Sequence, residues 1–441
     1  MSRVAIIGGG FAGLSAAVAL SARDVNVFLI ERRRHLGGRA YSFTDQTTGD
    51  TVDNGQHLLM KCFHHTRDFL TRIGTADRLH FQDHFRIDFR HPHTGQATLS
   101  FPRLLPPPLH LLVGLLRFGR IGFGDALRLG RIANAMKSPQ ETDLTVNTWL
   151  NRCGQSPRIR QSFWDPLCTS ALNQSPASAP ASHLMAVLRE AFFNGPEGSC
   201  LGYANVGLSA LYTHAAHRTI EDRGGSVRLR AAATAVKSTP GGISIQLRSG
   251  ECLTADACIC AVPPPALARM LPDALAHLRN DLAAFRPSPI LSVNLWFDRP
   301  VIKAKFIGML GTRLDWTFNK PALYENRDRA SAGHIVLVAS AADALVHRSD
   351  DELVAIALED LRALVPGAER ARLRHHRVVR ERHATFALPP GHPHPAARTD
   401  LPVLFLAGDW TDTGLPATIE SAVTSGYRAA EGVLQYLKVN P

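Results

Sequence analysis

Three glycines near the N-terminus have the spacing that dinucleotide-binding loops require. The apolar run "RVAII" leads into Gly8, Gly10 and Gly13, and the helix-like run "LSAAVALSA" follows them. Gly8 permits a tight turn, Gly10 removes a side chain that would block a pyrophosphate, and Gly13 lets the helix pack closely on the strand. The N-terminus of that helix offers free N–H groups to phosphates. A strand, a glycine loop and a helix in this order predict a nucleotide site.

The next strand ends in an acidic residue and leads into a second glycine loop. The strand-like run "VNVFLIE" ends at Glu31, about 20 residues beyond the first loop, where an acid can bind ribose hydroxyls. Gly37, Gly38 and Arg39 follow directly, and a second phosphate-facing loop at this place would help to hold a large cofactor. The polar, turn-like "VDNGQH" at 52–57 leaves room for a flavin ring. These segments favour a flavin dinucleotide over NAD.

Length and composition indicate how the rest of the chain is organised around these residues. A chain of 441 residues is too long for one ordinary core, so we expect two interlocked domains. Hydrophobic residues make up 45% and charged residues 20%, which excludes disorder. The seven cysteines lack the paired spacing of metal ligands and are expected to be buried thiols in a reducing compartment. Strand-like alternation continues from residue 225 to Pro263 in the middle of the chain.

Several motifs together resemble one superfamily, that of the flavin amine oxidases and carotenoid desaturases. They are "GGGFAG", "GGRA", "DNGQH", "AVPPPA" and "AGDWTDTGLPATIESAV". Within the superfamily the chain is similar to the squalene-associated FAD-dependent desaturases, also described as hydroxysqualene dehydroxylases of hopanoid biosynthesis. This similarity runs nearly end to end and includes "SPILSVNLWFDRPV", "LDWTFNK" and "ERHATFALPPG".

The resemblance implies an α/β fold with two domains interleaved along the chain. A Rossmann-like FAD-binding domain of the flavin amine oxidase type would be assembled from residues 1–75, 205–265 and 395–441. An α+β substrate domain would take residues 76–204 and 266–394. The bound cofactor would be FAD.

The resemblance also places individual residues around the cofactor. Asp409 would bind the ribityl or phosphate portion, and the backbone at Ala233 would contact the adenine end. Thr418 suits a helix N-cap, and that helix would aim its N–H groups at the flavin N1/C2 edge. Glu420 would favour the helix dipole without transferring a proton. The residues expected to contact the cofactor are Gly8, Gly10, Phe11, Ala12, Gly13, Glu31, Arg32, Gly38, Arg39, Gly55, Gln56, His57, Ala233, Gly408, Asp409, Thr418, Ile419 and Ala422.

Reduction of hydroxysqualene to squalene is the activity that the resemblance implies. Reduced FAD would deliver hydride to an allylic carbon while the hydroxyl departs as water. This reaction requires a dry apolar tunnel, a proton for the leaving hydroxyl and exclusion of solvent. Three residues are candidates for the proton transfer, namely His57, Asp53 and Asp165. Each has a structural alternative: a core histidine, a turn-capping aspartate and an aspartate at a helix N-terminus.

Proteins of related folds have three other activities that the sequence favours or disfavours. Carotenoid-type desaturation of a polyprenyl chain is the main alternative. Amine oxidation is disfavoured because Thr418 stands where amine oxidases carry an aromatic residue, and because a formal charge of +11 does not suit an amine. A prenyl-lipid carrier without flavin chemistry is disfavoured by the intact set of cofactor residues.

A basic and apolar segment, residues 104–137, indicates a membrane-facing element. It carries three prolines, Arg117, Arg120, Arg128, Arg131 and Lys137 against a lone Asp125. Adsorption to an anionic membrane surface and an ordinary helix hairpin with a solvated basic face both fit this pattern. No nucleic-acid motif accompanies the positive charge. We expect a cytoplasmic protein, peripheral on the membrane if this element docks, with a separate electron donor because no second nucleotide fingerprint is visible.

Overall fold

The computed structural model describes residues 2–136, 143–324 and 331–439 of the chain. Lys137, the last residue of the predicted membrane-facing element, lies outside the described residues, as do Met1, Asn440 and Pro441. None of the helices within the described ranges has the length and apolar character that crossing a bilayer requires.

A five-stranded parallel sheet supports the first glycine loop. Its central strand Ser2–Ile7 lies between Val25–Ile30 and Ala257–Cys260, and Ser226–Arg228 and Leu404–Leu406 form the edges. The strands other than the edge strand Ser226–Arg228 are mostly buried, as expected for a parallel sheet with both faces covered. They come from all three segments that the resemblance assigned to the FAD-binding domain, although the domain boundaries themselves stay a prediction.

The first and last helices of the described chain pack against each other on this sheet. Helix Phe11–Ser21 begins directly after the glycine loop, and helix Ile419–Val439 begins beyond the last strand. Gly426 allows this contact, because a side chain there would overlap the carbonyl oxygen of Ala12. The first and last helices therefore meet on the same face of the sheet, which is the arrangement that a site built from both segments requires.

A mainly antiparallel seven-stranded sheet forms the second layer. Strand Arg286–Phe297 pairs with Leu373–Ala387 on one side and with His334–Ala339 on the other. The "LWFD" motif lies at the end of this strand, so it is part of the sheet core. The order continues through Trp316–Asn319, Phe306–Met309, Arg86–His91 and Gly95–Ser100.

Helices cover both faces of the seven-stranded sheet. Helix Asp350–Leu364 packs on one face, against Leu291, Leu295 and Leu337 of the strands. The other face packs against helices between residues 109 and 193 and forms the largest core cluster of the described chain. The helices of that group are Leu109–Arg117, Phe123–Ala135, Val146–Arg152, Pro157–Ile159, Asp165–Leu172 and Ala181–Leu188, with π-helical turns at Arg160–Trp164 and Arg189–Phe193.

Smaller elements connect the two layers. Three minor sheets consist of Ala233–Thr239, Gly242–Leu247 and Cys252–Ala255; of Ser42–Thr44 and Thr51–Asp53; and of Leu59–Met60, Leu79–Phe81 and Leu201–Ala204. The remaining helices are His64–Arg72, Ser209–Thr213, His214–Asp222, Pro264–Met270, Ala276–Leu282 and Lys320–Leu323, with single 3₁₀ turns at Ala76–Arg78, Asp273–Leu275, Ala342–Ala344 and Ala368–Arg370.

All seven cysteines are free thiols. Six of them are buried, but Cys252 is exposed, so the prediction of buried thiols is wrong for this residue. Its strand, Cys252–Ala255, is the outer strand of a three-stranded sheet, where every other side chain faces solvent.

Candidate functional site

One cavity of about 1010 Å³ lies between the two sheets. Ligand pockets usually have about 300 to 1,000 Å³, so this cavity has room for more than one small ligand. Its polar wall is formed by residues 8–12, 31–33, 37–39, 54–57 and 408–409, together with the start of the last helix. Its apolar wall consists of Phe85, Ile87, Phe89, Leu99, Phe163, Leu167, Ala171, Val187, Phe192, Ile290, Trp316, Phe318 and Val338.

The first glycine loop forms part of the polar wall. Gly8 has a φ of +111°, which only glycine adopts without strain. A Cβ atom at Gly10 would meet nothing nearer than the Gly38 Cα atom, at 3.8 Å, so the space above this residue is open. A side chain at Gly13, by contrast, would overlap the carbonyl oxygen of Gly8. Gly13 does not line the cavity, and its role is to let the helix pack on the strand.

Glu31 is held rigidly at the end of its strand. One carboxylate oxygen accepts a hydrogen bond from the Gly9 N–H, and the other accepts one from the Arg33 N–H, each at 2.8 Å. The side chain is only 6% exposed and lines the cavity. Each oxygen keeps a second lone pair that can accept a hydrogen bond from a ligand hydroxyl.

Arg39 and Asp409 meet across the cavity although 370 residues separate them in sequence. Arg39 Nη2 lies 2.5 Å from Asp409 Oδ1, and Arg39 Nη1 donates to the carbonyl oxygen of Ala384 at 3.1 Å. Both side chains line the polar wall, and so does Gly10. The glycine loop and the closing segment of the chain therefore face one space.

The last helix points its N-terminus into the cavity. The Thr418 hydroxyl accepts a hydrogen bond from the Ser421 N–H at 3.1 Å, which confirms the predicted N-cap. Thr418, Ile419 and Ala422 line the cavity. N–H groups in the first turn of a helix have no intrahelical acceptor and carry partial positive charge, so this end can bind an electron-rich ligand edge.

Glu420 has a structural role that the sequence analysis did not predict. Its carboxylate accepts hydrogen bonds from the His65 N–H at 2.8 Å and from the Thr66 N–H at 2.9 Å. The Thr66 hydroxyl also donates to it, at 2.7 Å. Glu420 thus caps helix His64–Arg72 and fastens that helix to the last one.

Asp53, one of the three candidates for proton transfer, does not line the cavity. It is buried behind the 54–57 loop, where Lys320 Nζ lies 2.8 Å from its Oδ2 atom and the Tyr324 hydroxyl lies 3.0 Å away. The Leu208 N–H and the Ser42 hydroxyl donate to its other oxygen. These contacts suit an ionised structural carboxylate. Burial raises the pKa of Asp53, but the attraction of Lys320 and the hydrogen bonds from Lys320, Ser42 and Leu208 together hold it below its usual value.

Lys320 orients a side chain of the polar wall and was missed by sequence reasoning. The only sequence feature that drew attention to Lys320 was its place at the end of "LDWTFNK". Nζ lies 3.0 Å from Gln56 Oε1, and the lysine side chain is 1% exposed. Because an ammonium group can only donate, the oxygen of the Gln56 amide must face Lys320. The NH₂ group of Gln56 is then left for the cavity side as a hydrogen-bond donor.

His57 lines the cavity with one ring nitrogen already committed. Nδ1 lies 2.8 Å from the carbonyl oxygen of Gly55, and because a carbonyl only accepts, Nδ1 must carry a proton. Nε2 is then an acceptor in the neutral ring and a donor in the protonated ring. Burial lowers the pKa of His57, so the protonated ring gives up its proton readily.

Asp165 also lies outside the cavity lining, although its neighbours Phe163, Pro166 and Leu167 belong to it. Its Oδ1 atom lies 3.6 Å from Arg160 Nε. Burial raises the pKa of this carboxyl despite the attraction of Arg160. Of the three proton-transfer candidates, only His57 faces the cavity. The remaining predicted cofactor residues apart from Gly13, including Arg32 and Ala233, all line it.

A half-buried carboxyl next to the apolar wall leads to a prediction about pH. Asp315 Oδ2 accepts a hydrogen bond from the Ser340 N–H at 2.6 Å, and burial raises the pKa of Asp315 to about 6. The folded protein therefore binds a proton between pH 3.8 and about 6 that the unfolded chain releases, and this contribution to stability is lost as pH rises through that window. We expect Asp315→Asn to raise the free energy of unfolding by about 2 kcal/mol above pH 6 and by little near pH 4.

Denaturant unfolding of Asp315→Asn and the parent protein at both pH values checks this prediction. The exposed Asp24 provides the matched control, and Asp24→Asn should change neither value. An equal effect of Asp315→Asn at both pH values would contradict the assignment.

Comparisons with known proteins add to this geometry. Residues 11–434 match the family described as flavin containing amine oxidoreductase. The chain is 32% identical to the hydroxysqualene dehydroxylase of Sinorhizobium fredii, with 97% of each chain covered. It is 25% identical to the 15-cis-phytoene desaturase of Narcissus pseudonarcissus, with 98% of this chain and 79% of that protein covered. The solved structure of an oxidoreductase from Methanosarcina mazei matches with a TM-score of 0.76 at 16% identity, over 97% of this chain and 100% of the other. The predicted resemblance and fold class are confirmed.

Proposed function

Because the chain belongs to the family of flavin-containing amine oxidoreductases and is a flavin-dependent oxidoreductase, we propose that its flavin is FAD and that it reduces hydroxysqualene to squalene. The observation that carries the proposal is a single cavity with one polar and one extensive apolar wall. The polar wall offers what a dinucleotide needs, and the apolar wall offers what a long isoprenoid chain needs.

The open space over Gly10 supports a dinucleotide rather than a mononucleotide. Only the Gly38 Cα atom lies within 4 Å of a Cβ placed there, so a pyrophosphate can approach the backbone between the two glycine loops. Glu31 is fixed so that its free lone pairs can accept from ribose hydroxyls. Arg39, Asp409 and the capped helix at Thr418 lie along the same wall, and we assign them to the phosphate, ribityl and ring portions.

A bound reduced flavin supplies the hydride for this reaction. The substrate loses its hydroxyl as water, gains hydride at the same allylic carbon and consumes one proton. We assign that proton to Nε2 of the protonated His57 ring, which is the minor form because burial lowers its pKa, since Nδ1 is held by Gly55 and His57 lines the cavity. The apolar wall excludes water from the carbon that bears the developing positive charge, and the Gln56 amide can donate to a ligand oxygen.

Carotenoid-type desaturation is the second candidate, since the chain is also similar to a phytoene desaturase. The same apolar wall would accept that substrate class, so the two functions differ in the direction of electron flow. Dehydroxylation consumes a proton and desaturation releases one, and Nε2 of His57 can donate or accept according to the protonation of the ring. The higher identity to the hydroxysqualene dehydroxylase, 32% against 25% for the phytoene desaturase, favours dehydroxylation.

Product analysis by mass spectrometry tests the proposal. The purified protein is offered hydroxysqualene, squalene and a C40 polyene, each with reduced and with oxidised flavin. We expect squalene from hydroxysqualene with reduced flavin alone. New double bonds in squalene or the C40 polyene with oxidised flavin would instead establish the desaturase.

A bulky residue in the apolar wall should separate substrate binding from cofactor binding. Ala171 lines this wall, and Ala171→Phe is expected to lower squalene formation by about tenfold or more, because the ring occupies substrate volume. Flavin content should not change. Ala177→Phe, at an exposed position, is the control, and equal activity of the two variants would refute the assignment of this wall.

The domain boundaries and the remaining partners are part of the same proposal. We assign the five-stranded sheet segments to the FAD-binding domain and the seven-stranded sheet to the substrate domain. A separate electron donor must reduce the flavin, and an anionic membrane surface supplies the apolar substrate.

A further inference from the structure

Four exposed leucines lie together in one short stretch of the chain. Among the side chains that the structure describes, the large hydrophobic ones that are exposed are Leu104 at 98%, Leu109 at 48%, Leu116 at 39% and Leu127 at 68%. Soluble surfaces seldom concentrate such residues without a function. We call these four residues the leucine face.

Packing explains why two members of the leucine face, Leu109 and Leu116, point outward. In helix Leu109–Arg117, Leu111, Gly114 and Leu115 are buried. A side chain at Gly114 would overlap the Phe101 ring, so the helix lies tightly against the strand end at Phe101. Leu109 and Leu116 are seven residues apart and share one stripe of the helix, which is left uncovered.

The lining of a second cavity, of about 350 Å³, includes the residues next in sequence to two members of the leucine face, Leu104 and Leu116. This cavity is lined by Arg103, Arg117, His84, Thr98 and Ser100, with Phe101 and Pro102. Four of these side chains can donate hydrogen bonds to a ligand, since the Thr98 hydroxyl already donates to Asp88 Oδ1, and the lining itself contains no carboxylate. We call it the basic pocket.

The charges of the basic pocket are largely uncompensated. Arg103 Nη2 lies 3.2 Å from Glu197 Oε1, but both side chains are about half exposed, and such pairs contribute little. Arg117 makes no ion pair with another residue of the described ranges. Other arginines of this segment are engaged: Arg120 donates to the Gly95 carbonyl oxygen at 2.7 Å, and Arg128 lies 3.4 Å from Asp125.

We propose that the basic pocket binds the phosphate of an anionic phospholipid while the leucine face inserts among the acyl chains. The proposal deepens the proposed function, on which it rests for the apolar substrate. Arginine guanidinium groups match the geometry of phosphate oxygens. The exposed leucines favour a phospholipid over a free phosphate ion, because only the lipid has acyl chains that they can contact. An amphipathic surface of this kind lies in the membrane interface without spanning it.

The basic pocket is also only one aromatic layer away from the large cavity. Phe101 lines the pocket and stacks on Phe85 with ring centroids 4.4 Å apart. It also contacts Phe192 edge to face at 5.7 Å. Phe85 and Phe192 belong to the apolar wall, so docking at the pocket brings the bilayer next to the wall that an isoprenoid must reach.

Vesicle flotation of the flavin-loaded protein tests the proposal. The probes are vesicles of phosphatidylcholine alone and of phosphatidylcholine mixed with phosphatidylglycerol. We expect Arg103→Gln/Arg117→Gln to weaken binding to the anionic vesicles by about tenfold or more, since two cations near the surface are lost. Leu109→Gln/Leu116→Gln should weaken binding to both vesicle types. Arg370→Gln, whose side chain is 82% exposed elsewhere on the surface, should bind like the parent.

Two outcomes would overturn the proposal. One is flotation that does not respond to the loss of Arg103 and Arg117. The other is displacement of the protein from anionic vesicles by inorganic phosphate at equal ionic strength, which would indicate a site for the free ion. Turnover of detergent-dispersed hydroxysqualene should be unchanged in the arginine variant. If the parent floats normally but yields no squalene, the proposed function fails and the lipid site stands.

Discussion

Gly10→Val is expected to give a folded protein that purifies without the yellow colour of a flavin. Gly10 has φ −87° and ψ −172°, an extended conformation that a β-branched residue adopts readily. A Cβ atom at this position lies 3.8 Å from the nearest protein atom outside the local chain. The valine side chain therefore fills space that the protein leaves open, and we expect the molecule that it displaces to be the cofactor. We expect flavin content to fall by about tenfold or more, because a methyl group at the pyrophosphate blocks close approach.

The measurement is the ratio of visible flavin absorbance to protein absorbance, with chromatography of the heat-released cofactor to identify it as FAD. Melting of the cofactor-free protein should change by only a few degrees. Gly13→Ala is the control, and it should lower the stability of the fold itself. The added methyl group would overlap the Gly8 carbonyl oxygen. A Gly10→Val protein with the parent's flavin content would contradict the placement of the pyrophosphate.

Lys320→Met, which removes the buried cation behind the polar wall, should be strongly destabilising. Lys320 and Asp53 are buried, with side chains 1% and 4% exposed. Removing the lysine leaves the carboxylate without its cation, and breaking a buried ion pair from one side costs about 3 kcal/mol or more. The Gln56 amide loses the contact that sets its orientation as well, so activity should fall further than stability alone explains.

Denaturant unfolding of the cofactor-free protein measures this cost separately from flavin binding. Lys320→Met/Asp53→Asn should recover part of the loss, because the unpaired charge is removed. Lys303→Met, at an exposed position, should cost close to nothing. Additive costs of the two single changes would show that the pair does not act as a unit.

Local sequence signals were sufficient to predict the geometry of much of the polar wall of the cavity. Gly8, Gly10 and Glu31 belong to one strand–loop–helix–strand unit, whose geometry follows from spacing along a short stretch of chain. The Thr418 cap was equally local, since a threonine before an apolar helical pattern satisfies the first free N–H groups. These features need no knowledge of what packs against them.

Contacts between distant segments were beyond a single sequence. Lys320 reaches Asp53 over 267 residues, and Glu420 caps a helix 354 residues earlier. Hydrophobic periodicity shows which face of an element is buried, but it does not name the partner. Asp165 illustrates a further limit: the π-helical turn Arg160–Trp164 precedes it, and a π turn changes the helical phase from which its direction would be inferred.

Anaerobic single turnover tests the central claim most directly. The protein is loaded with FAD, reduced chemically, freed of excess reductant and mixed with hydroxysqualene while flavin absorbance and squalene are followed together. We predict that the oxidised flavin bands return and that one squalene forms for each flavin. A flavin that stays reduced in the presence of bound hydroxysqualene, with no squalene formed, would contradict the account.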